Sequence, residues 1–186
     1  TMQAKSQPET RPAGGVERAV YLFDQMPRRV ACKPVEQPAE MAGLDMLARD
    51  LIFTCACHNG VGIAAPQIGV MYRVCVVNTK SEKLVLVNPQ IIHSDGKQKG
   101  VEGCLSLPGM MAVVPRAKEV SVRTRLWRDG IVGDEIEIHA EGFEATVFQH
   151  EIDHLEGIFF IDRISSLKRG IFCRKFAKMR GGRRAR

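Results

Sequence analysis

Several familiar signals are missing from this chain of 186 residues. No apolar run approaches the roughly 20 residues needed to span a bilayer, so no membrane helix is predicted. Residues 1–15 are polar and rich in Gln, Pro and Gly, without the apolar stretch of a secretory signal, and read as a disordered lead. The cysteines at 32, 55, 57, 75, 104 and 173 lack the regular spacing of a small secreted disulfide scaffold, which points to a reducing compartment. No internal repeat is visible. Acids are absent from Lys168 to Arg186, where nine Lys or Arg fall; against a net charge of +6, this leaves the rest of the chain at −3. Such a basic end is either a solvated helix face with a frayed tail or a surface attracted to polyanions such as ribosomal RNA.

What is present is the composition of an ordinary globular protein, 45% hydrophobic and 26% charged, of a length that suits one domain and one core. The chain divides into a lead over 1–15, a single folded domain over 16–180 and a basic frayed tail over 181–186.

The stretch with most chemical content is Gln149-His150-Glu151-Ile152-Asp153-His154. On a helix, the i, i+4 spacing sets His150 and His154 on one face, one turn apart, where two imidazoles can share a metal ion. Glu151 beside them is placed to accept a proton, as in a metallohydrolase. A catalytic site of this kind needs a third protein ligand and an open position. The extended protease pattern would supply a histidine at 160, but Phe160 stands there, which disfavours that class. Phe143, Val147, Phe148, Ile152 and Leu155 form the apolar side of this helix.

Upstream, Met41, Leu44, Leu47, Ala48, Leu51, Ile52 and Cys55 recur at helical intervals and predict a helix from Glu40 to about Cys57, closed at His58-Asn59-Gly60. Gly60-Val61-Gly62-Ile63-Ala64-Ala65 then satisfies G-x-G-x-x-A on paper. It follows a helix rather than a strand, so no dinucleotide is expected. The glycines suggest backbone lying closely against something, or a plain tight turn. Strands are predicted at Val74–Val77 and Leu84–Val87, the second ended by Asn88-Pro89, with Ile91-Ile92 as a candidate resumption. Val120 to Arg125 alternates as a half-buried strand and pairs across Asp129-Gly130 with Ile136–Ile138. In the last helix, capped by Ser165 or Ser166, Leu167, Ile171, Phe172, Phe176 and Met179 face the protein.

Between these lies Glu102-Gly103-Cys104-Leu105-Ser106-Leu107-Pro108. Irregular backbone there leaves Cys104 either exposed to a ligand or packed and inert; a separation of more than 40 residues from His150 does not decide which.

Together, Gly60-x-Gly62-x-Ala64-Ala65-x-Gln67, Glu102-Gly103-Cys104-Leu105-Ser106 and Gln149-His150-Glu151-x-Asp153-His154 resemble, in order and separation, the three motifs of the bacterial-type peptide deformylases. The resemblance runs from about Lys33 through the last helix. It implies an α+β fold, antiparallel sheets surrounding a central H-E-x-x-H helix, with one helix in the N-terminal half and one at the C-terminus. It implies hydrolysis of the formyl group from the N-terminal formyl-methionine of new polypeptides in the cytoplasm, releasing formate. Cys104, His150 and His154 would hold one divalent metal ion, typically Fe2+, with Zn2+, Ni2+ or Co2+ able to substitute. Glu151 would be the general base, and Gln67 and the Leu105 N–H the oxyanion donors. Val61, Gly62 and Gly103 would pair with the peptide backbone, and Val61, Glu102, Phe143, Val147 and His150 would wall the methionine pocket. Partners would be the formyl-methionyl peptide and, through the basic C-terminal helix, the ribosome. Competing readings are a hydrolase of another small amide or ester, and a basic RNA-associated protein with a structural metal.

Overall fold

A computed structural model describes residues 14–36 and 41–183. The expected disordered lead therefore lies almost wholly outside the described residues, as do Glu40 and residues 184–186.

The first helix, α1 (Leu44–Cys57), buries Leu44, Ala48, Leu51 and Cys55, one stripe at helical spacing. It closes as expected, with Asn59 in the left-handed region at φ 50°. A short strand β1 (Gly62–Ala64) and a 3-10 turn (Ala65–Ile68) lead into β2 (Val74–Asn78) and β3 (Lys83–Asp95). The separate hairpin of β4 (Gln98–Gly103) and β5 (Met111–Arg116) follows, then β6 (Glu119–Arg128) and β7 (Ile131–Glu141). The helix α2 (Gly142–Leu155), a second 3-10 turn (Phe160–Asp162) and α3 (Ser166–Arg183) complete the order. The main sheet runs β1-β2-β3-β6-β7 with every pairing antiparallel, and β4-β5 forms a two-stranded sheet beside it.

The sheet separates α1 from α2. On one face Val74, Val76, Val85 and Val87 pack with Leu51, Cys55 and Trp127. On the other, Cys75, Val77, Leu84 and Leu86 pack with Val147, Phe148, Ile152 and Leu155 of α2. Alternate residues of β2 and β3 thus enter different cores, which is why both strands read as continuous apolar runs. A third cluster joins Phe23, Met26, Leu107, Met110, Val114, Phe159, Phe160, Ile161 and Phe176, tying the N-terminal arm to β5 and α3. Truncating a fully buried side chain such as Leu51 to Ala would cost about 2–5 kcal/mol.

Three expectations need correction. Asn88-Pro89 does not end β3. The strand continues to Asp95, and the register shift between Val87 and Gln90 accommodates Asn88 at φ 55° and the missing Pro89 donor. Phe143 does not belong to the buried side of α2; at 62% exposure it stands at the helix start, facing a cavity. Among the described side chains of α3 only Phe176 is buried, with Phe172 packed partly, whereas Leu167, Ile171 and Met179 are exposed. The β6–β7 hairpin is as read, with Asp129 and Gly130 both at positive φ, 49° and 88°.

Candidate active site

The central helix carries His150 and His154 one turn apart, with ring centroids 4.8 Å from each other. Cys104 reaches them because β4 stops at Gly103. The following turn, closed by the Leu107 N–H on the Cys104 carbonyl at 2.9 Å, brings the sulfur 3.2 Å from His154 Nε2. One donor atom from each of Cys104, His150 and His154 lies within 4.8 Å of the others.

Around the triad, Gln67 and His150 have visible supports, whereas His154 Nδ1 has no hydrogen-bond partner among the described residues. Gln67 is fixed at both ends of its amide. Its Oε1 accepts the Ala64 N–H at 2.8 Å, while Nε2 donates to Ser106 Oγ at 3.2 Å and faces Cys104 Sγ at 3.5 Å. This pins the amide with its N–H donors toward the site. His150 Nδ1 meets Glu102 Oε2 at 2.8 Å, and Arg116 grips that carboxylate with two bonds of 2.7 and 2.9 Å. Arg116 continues to Asp153 at 2.5 Å, itself held by Arg163. A carboxylate on the far nitrogen of a ligating histidine fixes its tautomer and orientation.

Electrostatics divide the two glutamates. Burial pushes the Glu151 carboxyl up to about 7, with the charges of His150 and Arg116 pulling against it. Glu102 is also penalised by burial, but the hydrogen bonds from Arg116 and His150 hold it down at about 2. Burial lowers both imidazoles; His154 stays well below its ordinary value, whereas hydrogen bonds to Cys104 and Glu102 carry His150 well above.

The residues fit a cation. One thiol and two imidazoles form a donor set for a divalent transition metal, and among the described residues no fourth His, Cys, Asp or Glu joins the cluster. Three protein donors mark an open, catalytic arrangement rather than a closed structural one. Glu151 Oε2 is buried and has no partner among the described residues, which leaves it to serve a molecule placed at the triad.

The triad opens on a cavity of about 660 Å³, lined by Val61, Gly62, Gln67, Glu102, Gly103, Cys104, Leu105, Phe143, Val147, His150 and Glu151. Every residue singled out from sequence therefore meets here except His154, which sits behind the wall at 2% exposure. Glu102, expected in the wall of the methionine pocket, lines the cavity while its carboxylate is committed to Arg116 and His150. Sequence reasoning missed Arg116, Ser106 and the role of Asp153. Asp153 and Ser106 stood inside the quoted motifs without an assigned partner; Arg116 carried no local signal.

A family model described as polypeptide deformylase matches residues 20–170. A peptide deformylase of Thermodesulfovibrio yellowstonii is 43% identical over 164 residues, covering 85% of this chain and 97% of its own. Crystal structures of peptide deformylases from Legionella pneumophila and Thermus thermophilus superpose with TM-scores of 0.77 at 36% and 38% identity. They cover 92% and 91% of this chain, and 99% of each of theirs.

Proposed function

We propose a division of labour among these residues from one premise: the chain belongs to the polypeptide deformylase family. It is a metal-dependent hydrolase that removes the formyl group from the N-terminal formyl-methionine of new polypeptides and releases formate. The observation that carries this function is the meeting of Cys104, His150 and His154 beside Glu151 at the floor of an open cavity.

A divalent cation held by the triad supplies a Lewis acid and an activated water at neutral pH. The chain's own groups do the rest. Glu151 takes a proton through its unpartnered Oε2 and later returns it to the leaving amine. Gln67 Nε2 and the Leu105 N–H donate to the oxygen on which charge develops. The backbones of Val61, Gly62 and Gly103 hold the peptide as an added strand between the edges of β1 and β4. Val61, Phe143 and Val147 give the methionine side chain an apolar wall. Glu102 positions His150, with Arg116 and Asp153 behind it.

For the resident metal we favour Fe2+, with Zn2+, Ni2+ or Co2+ as substitutes, since a thiolate with two imidazoles suits all four. One ion serves each chain. We take residues 16–180 as the catalytic domain. A cytoplasmic location is supported by six free cysteines, and no described helix is long and apolar enough to cross a membrane. The absence of a dinucleotide role is supported by Gly62–Ala64 forming a strand after a helix. Ribosome association through α3 is supported by exposed Lys168, Arg174, Lys175 and Lys178. Deleting α3 would strip Phe176 from the core, so replacing these four residues by Ala is the sounder test; unchanged salt-sensitive binding would make them a solvated face.

The deciding measurement is formate release from a formyl-methionyl peptide by anaerobically purified protein. Wild type turns over and Glu151→Gln loses several orders of magnitude while keeping its metal. Equal, negligible rates in both would overturn the reading.

A further inference from the structure

The row of ion pairs behind His150 has a second side. Beyond Arg116 and Asp153 lies a cavity of about 760 Å³, formed by the β3–β4 turn, the end of β5 and the outer flank of α2. Its walls carry Lys97, Lys99, Arg116 and Arg163 against a single acid, Asp153. Asp153 is already engaged by two guanidiniums, Arg116 Nη1 at 2.5 Å and Arg163 at 2.5 and 3.1 Å. It has nothing left to offer the lysines.

Lys97 and Lys99 are exposed, and no acid among the described residues pairs with either. Both line the cavity, Lys97 from the turn before β4 and Lys99 from within the strand. Gln98 between them also lines the cavity, its Nε2 held by the Ala117 carbonyl at 2.9 Å, the Gly142 carbonyl at 2.7 Å and Thr146 Oγ at 3.2 Å. That anchor ties the start of β4 to Ala117 and to the first turn of α2, which fixes the backbone carrying the two lysines. Arg163 uses Nε and Nη2 on Asp153, which leaves Nη1 free, and its side chain is 44% exposed. Even with Glu102 set against Arg116 from behind, the concave wall keeps a surplus of positive charge, which concentrates an attractive field for anions.

We propose that this cavity binds a small polyanion of the phosphate type, with Lys97 and Lys99 as point charges and the free edge of Arg163 as a planar donor. Its volume is that of a small-molecule site, and Lys97, Lys99 and Arg163 lie outside the lining of the cavity at the triad.

Inorganic pyrophosphate is the probe, titrated by calorimetry into the metal-loaded chain at constant ionic strength, since screening would otherwise mimic a loss of affinity. Saturable one-site binding is expected, weakened about tenfold or more in Lys97→Ala/Lys99→Ala by the loss of two charge-assisted contacts. The double variant keeps kcat/KM on a formyl-methionyl peptide within about twofold of wild type, because exposed substitutions away from the site are near neutral. Absence of saturation in the millimolar range would overturn the proposal. So would binding that persists in the double variant and is displaced by substrate peptide, which would place the anion at the catalytic metal.

Discussion

Gly62 and Glu151 lie so close that no side chain fits between them: a Cβ on Gly62 would stand 2.8 Å from Glu151 Cδ and nearer still to Oε1. The glycine does not serve a turn. It belongs to strand β1, and its smallness lets the edge of the sheet rest against the Glu151 carboxylate. Gly62→Ala should displace that carboxylate while leaving the triad intact. Since misplacement by about 1 Å can cost on the order of 10²-fold, kcat for formate release should fall by about that factor with metal content unchanged. Wild-type kcat in the variant would mean that the contact does not position Glu151.

Gln67 is held by Ala64 and Ser106 so that its amide N–H faces the reacting centre. Gln67→Ala should lower kcat by about 10²–10³ with little change in KM, as for the loss of one oxyanion donor. Ser106→Ala frees the amide without removing it and should cost less. Steady-state kinetics of both variants on one peptide make the comparison, and a larger loss in Ser106→Ala would contradict the assignment.

The cysteines should sort by environment when alkylated at pH 8. Burial pushes the Cys32 thiol up to about 11 and the fully buried Cys75 well above its ordinary value, so thiolate is scarce at both. Both should label slowly in the folded chain. Cys104, at the cavity, should label in metal-free protein and be protected once metal is restored. Cys57 and Cys173 should be indifferent to metal. Peptide mapping by mass spectrometry reads all of these, and Cys104 labelling unaffected by metal would contradict its role as ligand.

The buried pair of Glu102 and Arg116 should show in the pH dependence of stability. The Glu102 carboxyl is held at about 2, below its unfolded value of roughly 4.3. Its contribution is therefore complete above the unfolded value and fades as pH falls toward and through 2. Glu102→Gln leaves Arg116 without its bidentate partner and should cost on the order of 3 kcal/mol at pH 7. That difference should shrink between about pH 4 and pH 2. Denaturant midpoints of the two metal-free proteins across this range test it, and a constant difference would place the stabilisation elsewhere.

By itself the sequence determined what near neighbours decide. The stripe of Leu44, Ala48, Leu51 and Cys55, the turn at Asp129-Gly130, and the pairing of His150 with His154 on one helical face follow from backbone periodicity within a few residues. The three motifs in order carried the family and, with it, Cys104 as a candidate ligand. Tertiary structure alone decided whether the sulfur meets His154 across a separation of 50 residues, and that Arg116, unremarkable in a strand, joins Glu102 to Asp153. It also overruled local signals at Pro89, where pairing with β6 resumes beyond an irregularity, and at Phe143, which faces a cavity rather than the core. The reason is common to these cases. A charge or an aromatic ring is settled by whatever the fold brings against it, and that partner lies at a distance along the chain that no periodicity encodes.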